Sequence, residues 1–139
     1  MNIAIIGHRL GIDPAIIGGT QSYLKRLAEH IVLRGHNIDV FVYGSEKSSH
    51  AKLKPYNDVT YVHKISEIGM LIDRRAPYDV LIVTHFPRKW FFHQIIYLPI
   101  MKRRCKSMCY LSIVRSKNSV TRLIKNIMCK LLYDFIIAS

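Results

Sequence analysis

Apolar and polar positions along this chain switch between two periods. Asn2–Ile6 is a short β-branched run ending at Gly7, apolar on both faces as a central parallel strand is. His8 to Gly19, rich in Gly, Asp and Pro, reads as a loop. From Thr20 to Arg34 the spacing turns helical. Tyr23, Leu24, Leu27, Ala28, Ile31 and Val32 recur on one face, and Lys25, Arg26 and Glu29 take the other. Gly35 follows, where a left-handed cap costs least. Ile38–Tyr43 is a second apolar run, closed by Gly44. These residues predict a strand–helix–strand unit with parallel strands and a right-handed crossover.

The same alternation continues. Residues 45–57 are polar with Pro55 and read as a loop, and Val59–Val62 reads as a short edge strand. Ser66 is placed to cap a helix running to about Arg75, and Pro77 starts the turn into a buried strand, Asp79–Thr84. Beyond His85, Lys89–Met101 predicts a helix broken near Pro99, Met108–Val114 a strand, and Thr121–Leu132 a helix with Ser119 as its cap. A last apolar run, Phe135–Ala138, predicts a strand. Residues 1–139 therefore predict one α/β domain with a doubly wound, mostly parallel, Rossmann-like sheet. The pattern ends on a strand with no helix after it, so the domain is expected to be incomplete.

Composition agrees with a globular chain: 139 residues, half of them apolar, suit one compact domain with a core of its own. Charge adds an asymmetry. Residues 1–85 carry ten Lys and Arg against eight Asp and Glu, whereas residues 86–139 carry eleven against Asp134 alone. Such a half-chain either seeks phosphates, acidic lipid or nucleic acid, or is a solvated basic face. No nucleic-acid motif or regular basic–aromatic spacing supports the nucleic-acid reading. The three cysteines, Cys105, Cys109 and Cys129, form no disulfide framework and point to a reducing compartment. Cys105 and Cys109 are spaced for one helical face and read as buried thiols; no zinc-type cluster completes them, and no metal is expected.

No charged leader precedes the first strand, and no apolar run reaches the roughly 18–20 residues that span a bilayer. The longest candidate, Trp90 to Met101, contains His93, Gln94 and Pro99. A cytoplasmic protein is expected, or one peripheral on the inner face of the membrane.

In an open parallel sheet, ligands bind at the carboxyl ends of the strands. Here that rim comprises Gly7–Gly19, Tyr43–Ser45, Thr84–Arg88 and Val114–Ser119. The sharpest feature on it is Gly18-Gly19-Thr20-Gln21, at the start of the first helix. Paired glycines admit a ligand close to the backbone, and a helix N-terminus presents N–H groups to a phosphate. The bland alternative is a pair of glycines closing a surface loop. Neither the dinucleotide Gly-x-Gly-x-x-Gly spacing nor a Walker Gly-Lys-Ser/Thr is present. His8 and Arg9 leave the first strand toward the same rim, where an arginine fork suits a phosphate or carboxylate. His85 ends the fourth predicted major strand, and Arg115 with Lys117 adds charge at the fifth, with no carboxylate nearby in sequence to act as a general base. Trp90-Phe91-Phe92 either inserts into lipid or a partner or packs into the core.

Asn2–Gly7, Gly18-Gly19-Thr20-Gln21-Ser22-Tyr23, Leu27-Ala28, and Arg34-Gly35-His36 followed by Ile38–Val42 together resemble glycosyltransferase family 4, the retaining group-1 transferases. The stretch Ile6-Gly7-His8-Arg9 through Pro14 to Gly18-Gly19 is similar to a bacterial rhamnosyltransferase-like subgroup of cell-surface polysaccharide synthesis. Tyr133–Ser139 resembles the family's late N-domain strand. The likeness is strong over residues 1–44 and loose beyond.

The resemblance implies the N-terminal half of a GT-B fold, two Rossmann-like domains facing across a cleft. It implies that Gly18 and Gly19 approach the donor's diphosphate, and that His8, Arg9, Thr20, Gln21, His85 and Arg115 line the acceptor or phosphate rim. A nucleotide sugar is the implied co-substrate and a saccharide, often lipid-linked, the acceptor; neither a metal nor another cofactor is implied. Two departures stand out. Gln21 replaces the subgroup's usual Glu, and Ser112–Lys117 lacks its Asp and His. The resemblance leads one to expect a nucleotide-binding C-terminal domain that residues 1–139 do not include, and so a chain inactive by itself and completed by such a partner. The alternative reading is a non-catalytic α/β module binding phosphate, nucleotide or membrane, or a truncated remnant.

Overall fold

The computed structural model describes residues 1–75, 77–84, 91–112 and 135–138. His85, Trp90, Arg115, Lys117, Ser119, Cys129 and the helix expected over 121–132 lie outside them.

Among the described residues, seven strands form one sheet. In chain order the elements are β1 (Asn2–His8), α1 (Arg9–Ile12), α2 (Gly19–Leu33), β2 (Asn37–Tyr43), β3 (Ser49–Ala51) and β4 (Asp58–Val62). They continue with α3 (Ile65–Arg74), β5 (Tyr78–Thr84), α4 (Phe91–Lys102), β6 (Cys105–Ser112) and β7 (Phe135–Ala138). The sheet order is β3-β4-β2-β1-β5-β6-β7, with every neighbouring pair parallel except β3 with β4. Numbered among themselves, the six parallel strands run 3-2-1-4-5-6, the order of doubly wound dinucleotide-binding sheets.

The central strands are apolar on both faces because both faces are covered. Ile3 and Ile5 of β1 pack with Ile38, Val40 and Val42 of β2 beneath Leu24 and Ala28 of α2. Ala4 and Ile6 pack with Phe41, Tyr43, Leu81 and Val83 beneath Ile65, Ile68 and Ile72 of α3 and Met101 of α4. Successive side chains thus enter opposite layers, as the two-residue period of a strand requires. Each fully buried Val, Leu, Ile, Phe or Met side chain among them contributes roughly 1.5–3 kcal/mol relative to exposure.

Several boundaries and roles differ from expectation. The loop after β1 contains a helical turn, α1. It escapes periodicity analysis because four residues span little more than one turn. In α2 the buried stripe is Gln21, Leu24 and Ala28, with Ile31 packed against it, while Tyr23 and Val32 are exposed. The contact face is narrower than the apolar stripe, because α2 meets the sheet along one line.

The expected cap Gly35 holds, at φ 81°. β4 is not an edge strand: Ser49–Ala51, read as loop, pairs antiparallel outside it. Three polar-flanked residues carry no readable alternation, so only the pairing reveals β3. α3 starts before Ser66, with Lys64 as its N-cap residue, and the Glu67 carboxylate accepts the Lys64 N–H at 2.9 Å. α4 continues through Pro99 instead of breaking there. Cys105 and Cys109 lie on a strand, β6, rather than on a helix; Cys109 is buried and Cys105 half-buried.

Candidate functional site at the carboxyl rim

Strand order reverses between β1 and β5, whose carboxyl ends are His8 and Thr84, and ligands of open α/β sheets bind at such a point. The floor there is tight. A Cβ on Gly7 would stand 2.1 Å from Thr84 Oγ1 and 2.8 Å from Ile12 Cγ2, so only glycine lets β1, α1 and β5 meet. The Thr84 hydroxyl lies 3.4 Å from the Ile6 carbonyl that accepts from it.

His8 is tucked into this floor at 9% exposure. Its Nδ1 accepts the Leu10 N–H at 3.3 Å, capping α1, and its ring stands edge-on to Tyr43 with centroids 5.3 Å apart. Accepting at Nδ1 places the neutral ring's proton on Nε2, which faces Gly44. Gly44 has φ 83°, and a Cβ there would sit 2.6 Å from that nitrogen. His8 therefore shapes the rim from below.

α2 begins at the rim. Gly18 is its extended N-cap, and no side chain caps the helix. The first helical N–H to find a partner is that of Ser22, on the Gly18 carbonyl at 2.9 Å. Ahead of it, the N–H groups of Gly19, Thr20 and Gln21 form the positive end of a 15-residue helix with no acidic residue in its first turn. A Cβ on Gly19 would meet nothing within 4 Å, so the space over this turn is open. Gln21 is buried, and its amide donates to the Leu10 carbonyl at 3.1 Å. That bond joins the start of α2 to α1. Thr20 is half-buried beside it.

Arg9 opens α1. Its Nε lies 3.4 Å from Asp13 Oδ2, with the arginine side chain 45% exposed and the aspartate 4%. Asp13 Oδ1 accepts the Tyr61 hydroxyl at 2.8 Å and the Ala15 N–H at 3.0 Å. Burial, then the Asp13 bond, pushes the Tyr61 hydroxyl well above its ordinary pKa. Sequence reasoning passed over both residues. Asp13 looked like one turn residue among several, and Tyr61 lies 48 positions away on β4. In the same stretch between β1 and α2, Leu10 is 73% and Ile17 99% exposed.

A second polar cluster sits at the opposite, amino-terminal edge of the sheet. There Asn2, Asn37, Asp39, Asn57, Arg75 and Tyr78 line a depression of about 160 Å³. Arg75 pairs with Asp58, donates to Thr60 Oγ1 at 3.0 Å, and lies 5.2 Å over the Phe41 ring. Asp39 accepts from the Tyr78 hydroxyl and from Asn57 at 3.0 Å, and Arg75 Nη1 stands 3.5 Å from it. Burial pushes the Asp58 carboxyl up, but Arg75, Thr60 and Lys52 outweigh it and hold the group below its ordinary range. The cluster clamps the starts of β2, β4 and β5 to the end of α3.

The expected site residues thus divide. Gly18, Gly19 and Arg9 share one open rim, Thr20 lies beside it, and His8 and Gln21 support it from within. His85 and Arg115 lie outside the described residues. Among the described residues, no group of three His, Cys, Asp or Glu side chains is placed to hold a metal ion. Among them too, no helix is long and apolar enough to cross a membrane. Comparison with protein-family models, curated proteins and solved structures returned no match.

Proposed function

We propose that this chain is the N-terminal, acceptor-side domain of a GT-B glycosyltransferase. It moves a sugar from a nucleotide sugar to a saccharide acceptor, lipid-linked at the cytoplasmic membrane face, in cell-surface polysaccharide synthesis. The observation that carries the reading is the uncapped first turn of α2 at Gly18–Gly19, open to solvent and joined to the turn that bears Arg9. Backbone N–H groups, helix dipole and guanidinium converge there on one kind of ligand, a phosphate group. The family resemblance of residues 1–44 supplies the sugar chemistry.

Sugar transfer is measured from a panel of labelled nucleotide sugars onto a membrane extract, with the chain alone and with a nucleotide-binding C-terminal domain supplied. Transfer is expected only with both, and Gly19→Val abolishes it. Gly19 has room for a side chain, so that loss would report on the ligand rather than on folding. A second reading is an anion-binding module without catalysis. It is favoured by the net charge of +12 and by the rim's Asp13 being buried and engaged. Phosphate binding with no transfer under either condition would select it.

A further inference from the structure

We propose that the depression at the amino-terminal edge of the sheet is a binding site for a small neutral polyol, a six-membered ring carrying adjacent hydroxyls. It lies at the opposite end of the strands from the carboxyl rim and is independent of any ligand bound there. Its walls are Asn2, Asn37, Asp39, Asn57, Arg75 and Tyr78, around about 160 Å³. The two-residue period puts Asp39 on the same face of β2 as Phe41 and Tyr43, which are fully buried. That face is apolar beneath α3 and turns polar past Arg74, where α3 stops.

Four properties of the walls select the ligand. Their two charges are opposite, with Arg75 Nη1 3.5 Å from the Asp39 carboxylate. An anion would meet the aspartate and a cation the guanidinium, so a neutral ligand loses least. The amides are half used. Asn37 donates to Asn2 Oδ1 at 3.3 Å, and Asn57 donates to Asp39 Oδ1 at 3.0 Å. The Asn2 amide hydrogens and the Asn37 and Asn57 side-chain carbonyls have no other partner among the described residues. A hydroxyl both donates and accepts, so adjacent hydroxyls match a wall that mixes donors and acceptors. The walls are also fixed in advance. The Tyr78 hydroxyl donates to Asp39, its ring stands edge-on to Phe41 with centroids 6.0 Å apart, and Asp58 and Thr60 anchor Arg75. Such order lowers the cost of binding. Size completes the match: a cavity of roughly 150 Å³ holds a benzene ring, so about 160 Å³ admits one six-membered ring.

The test uses the full chain, isotopically labelled, and follows the side-chain amide resonances of Asn2, Asn37 and Asn57 by NMR. Glucose and myo-inositol are titrated separately, with glycerol and inorganic phosphate as comparisons. At least one of the two rings is expected to shift these resonances, with a Kd of about 1–10 mM for a ligand of about a dozen heavy atoms. Asn37 is exposed, so Asn37→Ala should leave the urea midpoint unchanged. The same variant should weaken binding about fivefold, the worth of one hydrogen bond.

No shift with either ring would overturn the proposal. Equal shifts with glycerol, which is too small to span the depression, or with phosphate, which is charged, would overturn it as well. Unchanged affinity in Asn37→Ala would remove the ligand from this wall; if that variant lowers the urea midpoint, Asn2→Ala makes the same comparison. A preference for glucose supports a site that reads the ring oxygen, and a preference for myo-inositol one that reads hydroxyls alone. Sugar transfer at the carboxyl rim stands or falls separately from all of these results.

Discussion

Gly7, Gly19 and Gly44 border one rim and meet different surroundings. At Gly7 a methyl group would collide with Thr84 and Ile12, and at Gly44 it would face both a positive φ and the His8 ring. Gly7→Ala and Gly44→Ala are each expected to lose about 1–3 kcal/mol of stability in urea unfolding. Gly19→Ala meets open space at the first helical position, and its stability should be unchanged or higher by up to about 1 kcal/mol. A large loss in Gly19→Ala would show that the space is filled. At this scale the positions of the glycines were legible in the sequence. Which approach each glycine serves was not, because Thr84 is distant in the chain from Gly7.

Among the elements, α3 shows how a local rule can be half right. A polar residue near its start suggested a cap at Ser66, but the helix begins at Ile65 and Glu67 reaches back to the Lys64 N–H. Glu67→Ala should therefore cost about 1 kcal/mol in a thermal melt followed by circular dichroism, and Ser66→Ala less than about 0.5. The reverse order would return the cap to Ser66. α2 and the strands β1, β2 and β5 were legible because burial on one stripe, or on two faces, writes a period into the sequence. α1 and β3 were not, each being shorter than the repeats needed to see a period.

Across the whole molecule, the Arg75 cluster joins four elements at the end of the sheet away from the rim. Asp58 has a depressed folded-state pKa, so it binds its proton less readily folded than unfolded. Its contribution is present above the unfolded value of about 4 and is lost as pH falls through the folded one. Arg75→Ala should destabilise the chain by about 2 kcal/mol at pH 7, and the gap from wild type should narrow below about pH 4. Urea midpoints at pH 7 and pH 3 measure it. A gap that stays constant would mean that Arg75 acts by packing on Phe41 rather than by charge.

By itself the sequence determined the alternation of buried strands and amphipathic helices, the left-handed cap at Gly35, and the glycine pair that opens α2. Each follows from interactions between near neighbours, whose spacing is visible along the chain. Only the tertiary structure decided that β3 covers β4, that His8 turns inward against Gly44, and that Tyr61 reaches Asp13 behind Arg9. These depend on pairing between residues tens of positions apart, which packing of the sheet establishes and which no local period encodes.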